Sequence, residues 1–268
     1  MEDRTYEALQ RKIEELLSID LKAYKAPQMR RRLESFIRKQ VGDVEPLQFI
    51  RTLDQRQDVL AELRDMLTIN VSEFNRDERQ WQLLRDTLLP ELLERQQRLR
   101  IWSAGCSAGQ EPFSLAMLAD ELGIGTRVQI TATDLDRGIL ARARAGGPYT
   151  DADVQNLTAE QRESYFVERD DGLYVVDTIR RHPQFGELNL LRESFKPGYQ
   201  LICCRHVMIY FSPEIKLALV NKFRQALVPG GFLFVGGTEA LLGDERYGLE
   251  LAGGNFYRKL PEVSAAAA

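Results

Sequence analysis

Leu99-Arg100-Ile101-Trp102-Ser103-Ala104-Gly105-Cys106-Ser107-Ala108-Gly109-Gln110-Glu111-Pro112 reads as a short strand running through a turn of small residues into a helix N-terminus. Such a turn lets a ligand lie against bare backbone. Pro112 suits the first helical turn, where its missing N–H is not needed. Leu115, Leu118, Ala119 and Leu122 predict a single apolar helix face, and Gly123 its end. A second strand, Val128 to Thr133, delivers Asp134 at its C-terminal end, 25 residues after Gly109. A carboxylate in that place accepts both hydroxyls of an adenosine ribose.

The glycine spacing bears on which adenosine ligand. A dinucleotide site wants G-x-G-x-x-G with a pyrophosphate on the helix N-terminus, whereas this turn has Gly105 and Gly109 only, with Glu111 in the first helical turn. A carboxylate there repels a pyrophosphate but not the ammonium and sulfonium of S-adenosylmethionine (SAM). The residues favour SAM over other nucleotides without excluding them; glycines that merely pack a helix on a sheet would leave Asp134 without a purpose.

Outward from this stretch the chain divides. Residues 1–70 read as a small all-helical domain, with Tyr6, Leu9, Ile13, Leu16 and Leu17, then Leu33, Phe36 and Ile37, then Phe49, Ile50 and Leu53, then Leu60, Leu63 and Leu67 at helical spacing. Between Leu21 and Gln40 seven basic residues face one acid. That run is either a solvated helix face with an Arg30–Glu34 pair or a docking face for an acidic partner. Residues 71–98 read as a linker and a lead-in helix. The polar run Thr68 to Arg79 is either a plain linker or a hinge that closes over a ligand.

Residues 99–262 read as the main α/β domain, and 263–268 as a tail. Within it, Tyr165 to Val176 predicts a hairpin around the Asp171-Gly172 turn, out of place in a βαβ series. It is read as a small antiparallel β insertion at about 165–180. Leu201 to Cys204 forms an apolar strand that presents Arg205, His206 and Met208-Ile209-Tyr210-Phe211 at its carboxyl end, where open α/β sheets bind ligands. Ser212 and Pro213 start a helix that Pro229-Gly230-Gly231 ends; Phe232 to Val235 and Phe256 to Leu260 are the last strands.

Composition narrows the class. The 268 residues hold one full α/β domain and a smaller one. With 36 basic against 40 acidic residues, the chain lacks the basic excess of a nucleic-acid binder. Three cysteines without C-x-x-C and two distant histidines give neither a disulfide framework nor a metal site, so the expected compartment is a reducing cytoplasm. No apolar run approaches the length of a membrane span. A monomer is expected.

Beyond these readings, several stretches together resemble the CheR-type family of chemotaxis receptor glutamate O-methyltransferases, over nearly the whole chain. They are Asn70 to Arg76, Trp102 to Pro112, Thr133-Asp134, Asn189-Leu190-Leu191 and Cys204 to Phe211. The resemblance implies a doubly wound, Rossmann-like SAM-dependent methyltransferase fold with an N-terminal helical domain and an inserted β-subdomain. It also implies methyl transfer from SAM to glutamate carboxylates of the cytoplasmic helical bundle of chemoreceptors, leaving S-adenosylhomocysteine. Carried over position by position, the cofactor contacts are Asn70, Ser72, Arg76, Gly105, Glu111, Asp134, Asn189, Leu190, Arg205 and His206, with Arg76 and Tyr210 as the active-site pair. Receptor docking falls on the basic helix (Arg30, Arg31, Arg32, Arg38) and the β-subdomain. Two departures stand out: Asn75 where the family carries an aromatic, and His206 where it carries asparagine. A nucleic-acid methyltransferase or a catalytically silent SAM-binding module are the alternatives. The first lacks its usual [Asn/Asp]-Pro-Pro-aromatic motif here, where the chain has Arg205 to Tyr210.

Overall fold

The computed structural model describes residues 1–42, 46–68, 72–241 and 247–261. The tail expected over 263–268, and Asn70, lie outside the described residues. The chain forms two compact units, Met1–Asn70 with Tyr210–Lys216, and Val71–Ile209 with Leu217–Ala268.

The first unit holds α1 (Asp3–Leu17), α2 (Ala26–Val41), α3 (Pro46–Gln55) and α4 (Gln57–Thr68). Their apolar stripes meet: Leu9, Ile13, Leu33, Phe49, Leu53, Val59 and Leu63 are fully enclosed, and Phe36 meets Phe49 edge-on at 6.0 Å. Ser18 in the left-handed region ends α1. Arg30 pairs not with Glu34, as the helical spacing suggested, but with Asp3 of α1 at 2.5 Å, while Glu34 receives the N-terminal ammonium. Residues Tyr210–Lys216, expected within the α/β domain, cluster here instead. The Lys25 N–H donates to the Tyr210 carbonyl (3.0 Å), the Ser212 N–H to the Ala23 carbonyl (2.9 Å), and Tyr24 meets Phe211 edge-on at 5.2 Å.

The second unit opens with α5 (Glu78–Leu83), a π-helical turn (Leu84–Leu88) and α6 (Leu89–Arg95). Then follow β1 (Leu99–Ala104), α7 (Gln110–Glu121), β2 (Val128–Asp134), α8 (Arg137–Ala145), α9 (Ala159–Tyr165), β3 (Phe166–Arg169), β4 (Gly172–Val175), α10 (Asp177–Arg180), β5 (Pro183–Glu187), β6 (Tyr199–Cys204), α11 (Pro213–Ala226, in this unit from Leu217), β7 (Leu227–Val235), β8 (Leu249–Gly253) and β9 (Phe256–Lys259). The sheet order is β5-β2-β1-β6-β7-β9-β8, with β9 alone running opposite to the other strands. This is the expected doubly wound α/β sheet. The β3–β4 hairpin stands apart from it as a second, two-stranded sheet.

Local details depart from expectation for physical reasons. α7 is buried along Gln110 to Ala119 rather than on one face, because the sheet lies on one side of it and other elements cover the rest. The hairpin pairs Arg169 with Gly172, so its turn is Asp170-Asp171, one residue earlier than the D-G reading. A Cβ on Gly172 would lie 2.8 Å from the Tyr149 carbonyl, so this glycine serves close strand approach and not the turn. Strand β7 begins at Leu227, and Pro229 to Gly231 lie within it at a register shift opposite β6. Strand β8, absent from the sequence reading, is a half-exposed edge paired only to β9. Among the described residues no helix is long and apolar enough to cross a membrane, and no group of three His, Cys, Asp or Glu could hold a metal ion.

Candidate active site

From β1 the chain passes to β2 and β5 on one side and then crosses to β6 on the other, so the carboxyl ends of β1 and β6 diverge into a crevice. The turn after β1 is tied to β2: the Gly105 and Cys106 N–H groups donate to the Thr133 carbonyl at 2.8 and 2.9 Å, and Trp102 Nε1 to Thr133 Oγ1 at 2.9 Å. Gly105 has φ +80°, and a Cβ there would sit 2.6 Å from Val207 Cγ2, so only glycine admits the loop after β6.

Asp134 ends β2 with both oxygens accepting from backbone, Oδ2 from the Ser107 N–H (2.8 Å) and Oδ1 from the Asp136 N–H (3.0 Å). A carboxylate offers about four lone-pair sites, so each oxygen keeps one for a ribose hydroxyl. Burial pushes this carboxyl up from its ordinary range, and the backbone donors oppose the shift. The Leu188 N–H donates to the Asp134 carbonyl (3.0 Å), which sets Asn189 and Leu190 beside it. Asn189 turns its Oδ1 onto the N–H groups of Leu191 and Arg192, at 3.0 and 3.3 Å, while Lys222 takes the Leu190 carbonyl at 2.6 Å.

Glu111 was expected to meet a ligand cation, yet it is already engaged. Its Oε1 accepts from Ser103 Oγ at 2.6 Å, and its Oε2 lies 3.7 Å from Arg205 Nη1. Burial raises the Glu111 carboxyl pKa, opposed chiefly by Arg205. Arg205 in turn donates through Nη2 to the Arg76 carbonyl (2.7 Å) and to Asp77 Oδ2 (2.5 Å), with its guanidinium carbon 4.5 Å from the Phe234 ring centre.

His206 follows with φ +61°, its N–H donating to Glu239 Oε2 at 2.6 Å. Burial, reinforced by Arg76 and Arg205, pushes its imidazole down to about 4. Glu239, 1% exposed, also accepts from Gly236 (2.9 Å) and Ile209 (3.0 Å) and so fixes the whole loop after β6. The sequence reading missed it. Its signal was the Gly236-Gly237-Thr238 run after β7, small residues at another strand end.

The segment before α5 is pinned rather than hinged from Glu73 onward. Phe74 is fully buried edge-on between Tyr149 (4.9 Å) and Phe166 (5.0 Å), and its N–H donates to the Asp153 carbonyl at 2.9 Å. The Asn75 N–H donates to Ser114 Oγ at 3.0 Å. Ser72 and Arg76 are half-buried. Tyr210 belongs to the helical unit, where the Arg32 guanidinium lies 5.5 Å from its ring centre. Cys203 and Cys204 lie wholly inside the sheet, where burial raises their thiol pKa values far from any nucleophilic state.

These residues fit SAM. Asp134 keeps acceptors for a ribose, and Nε of Arg205 and Nε2 of His206 are buried without a hydrogen bond, the latter 3.8 Å from Asp77 Oδ2. A ligand with oxygen acceptors satisfies the Arg205 donor.

The family model described as CheR methyltransferase, SAM binding domain, matches residues 70–253. A chemotaxis protein methyltransferase from Listeria monocytogenes is 39% identical over 259 residues, covering 96% of this chain and 98% of its own. One from Listeria innocua is 38% identical with the same coverage. Chemotaxis protein methyltransferase 1 from Pseudomonas aeruginosa is 38% identical, covering 82% of this chain and 83% of its own.

Proposed function

The chain belongs to the CheR methyltransferase family, and from that membership we infer a SAM-dependent protein-glutamate methyltransferase acting on chemoreceptors. The match over residues 70–253 carries this conclusion, since it takes in the Arg76 segment, the β1 turn, Asp134 and the loop after β6. The products are glutamate 5-O-methyl esters and S-adenosylhomocysteine, as sensory adaptation requires. We assign the activity to the cytoplasm, where the receptor bundle lies and where three free cysteines remain reduced.

SAM supplies an electrophilic methyl group on its sulfonium. A glutamate side chain, with a reference pKa near 4.3, is already a carboxylate at neutral pH, so no general base is needed. The protein's task is to hold carboxylate oxygen, methyl and sulfur in line. We assign the cofactor's ribose to Asp134, its remaining contacts to Asn70, Ser72, Arg76, Gly105, Glu111, Asn189, Leu190, Arg205 and His206, and its polar end to the Arg205 side. Because Arg205 already neutralises Glu111, Glu111 acts by holding that arginine. Arg76 orients the substrate carboxylate through its fork of donors, and Tyr210 adds a directed hydrogen bond.

For docking, α2 supplies the charge that an acidic receptor surface would meet through Arg30, Arg31, Arg32 and Arg38, of which Arg31 and Arg38 are exposed. The β3–β4 hairpin, with Val167 exposed, offers a second contact. Transfer of labelled methyl from SAM to receptor cytoplasmic fragments tests the reading. Base-stable label, or none in a protein that binds SAM, would sink it.

A further inference from the structure

Arg76 stands between two residues in the left-handed region, Asn75 with φ 47° and Asp77 with φ 67°. Non-glycine residues are uncommon there and persist where surrounding contacts hold them. Those contacts converge on the peptide that carries Arg76. The Arg76 carbonyl accepts two hydrogen bonds, from Arg205 Nη2 at 2.7 Å and from Trp81 Nε1 at 2.9 Å. Asp77 closes on the same Arg205, and the Gln80 N–H donates to the Asp77 carbonyl at 2.8 Å. Gln80 is itself held, its Oε1 accepting the Asn255 N–H at 3.0 Å. Trp81 is 6% exposed and meets Phe234 edge-on at 6.4 Å, and Phe234 also carries the Arg205 guanidinium.

We propose that Trp81 is a positioning residue for methyl transfer: its indole N–H, paired with Arg205 on the Arg76 carbonyl, fixes the direction in which the Arg76 side chain leaves the loop. The proposal rests on the reading of Arg76 as the group that orients the substrate carboxylate. A side chain on so short a loop takes its aim from the peptide plane that carries it, because a rotation there swings the guanidinium tip by more than the tolerance of an in-line transfer. Without the indole, the Arg76 carbonyl is held by Arg205 alone, and the Asp77 contact to the same arginine leaves the peptide plane free to tilt. Two donors reaching one carbonyl from different elements do not. Were Trp81 only a core residue, its ring would matter and its N–H would not.

The decisive variant therefore keeps the ring. Replacing Trp81 by 3-benzothienylalanine puts sulfur where the N–H stands, and Trp81→Phe serves as the genetically encoded counterpart. Rates are taken per SAM-binding site, counted by S-adenosylhomocysteine titration, with thermal unfolding alongside. The expected result is kcat lowered about threefold to tenfold, with SAM affinity within about twofold of the parent and unfolding temperature unchanged in the benzothienyl variant. The same replacement in an Arg76→Ala background should lower the residual rate no further, because the group being aimed is gone. Unchanged kcat in the parent background overturns the proposal, as does an equal loss in both backgrounds. A full rate from Arg76→Ala itself removes the catalytic reading of Arg76, and the positioning role with it, and is told apart because it needs no change at Trp81.

Discussion

Arg76 and Tyr210, the two side chains assigned to the methyl acceptor, belong to different units of the molecule. Arg76 sits on the sheet unit, in a loop whose carbonyl is tied to Trp81 and Arg205 and through Arg205 to Asp77 and Glu111. Tyr210 lies only five residues after Arg205 in the chain, yet its backbone carbonyl accepts from Lys25 and its ring lies by Arg32, both in the helical unit. The contrast teaches that closeness in sequence to β6 does not decide which body holds a residue. It also divides the work. Changes in the sheet unit should move SAM binding or the chemistry built on it, whereas changes in the helical unit should spare SAM binding altogether.

The largest effect tests the sheet side of that division. Arg76→Ala should lower kcat roughly a hundredfold or more, on the scale of losing one preorganised donor to a developing or oriented charge, and should weaken SAM as well. A loss confined to receptor KM would move Arg76 out of the reacting centre. Next, Asp134→Ala removes the ribose acceptor and should weaken SAM by about 1–3 kcal/mol, the usual range for hydrogen bonds to a charged group. Calorimetry on the folded variant checks this, and an unchanged affinity would take Asp134 out of the site.

On the helical side the effects are smaller and differ in kind. Tyr210→Phe should lower kcat about tenfold while calorimetric SAM affinity stays level, because the phenol acts on geometry at the acceptor. Neither it nor the parent should gain rate steeply between pH 6.5 and 8.5, since the attacking carboxylate is ionised throughout. Reversing Arg31 and Arg38 together should slow methylation of intact receptors a few-fold and flatten its salt dependence. Loss of SAM affinity in either helical-unit variant would erase the division proposed above.

What the sequence could and could not disclose follows the same line. The β1 turn, Asp134 and the loop after β6 were legible because each is a local pattern: a strand end, small residues, then a charged group. Glu239 was not, because a buried carboxylate that accepts three backbone N–H groups from a neighbouring loop looks in sequence like any surface acid. Phe74 and Trp81 went unread as anchors because their partners, Tyr149, Phe166 and Phe234, lie far along the chain. Strand β8 hid because its alternation, Leu249-Glu250-Leu251, is only three residues long and runs into Gly253-Gly254. Of the two readings of the basic run, the one that paired Arg30 with Glu34 followed helical spacing, while the tertiary fold offers Arg30 the Asp3 carboxylate instead.

The smallest effect sharpens the comparison through acid stability. Both histidines of the chain, His182 and His206, fall in the sheet unit, as do both tryptophans, Trp81 and Trp102, so intrinsic fluorescence reports the unit in which histidine titrates. His206 is pushed down to about 4, chiefly by burial and then by the Arg76 and Arg205 charges, with Asp77 Oδ2 at 3.8 Å pulling the other way. The unfolded chain titrates near 6.5. Between those values the unfolded state carries a proton that the folded state refuses, so stability falls as pH drops from about 6.5 toward 4 and is regained above that range. Because the imidazole keeps some solvent contact, the full shift overstates the loss, and about 1–2 kcal/mol is the expected size. His206→Asn cannot bind that proton, and asparagine accepts the φ of +61° at this position. Urea unfolding followed by tryptophan fluorescence at pH 7.5 and pH 4.5 should therefore show a smaller acid loss in the variant by that amount. Parallel losses in the two proteins would mean that the imidazole accepts its proton inside the fold, and the cationic crowding around Arg76 and Arg205 would be weaker than their spacing implies.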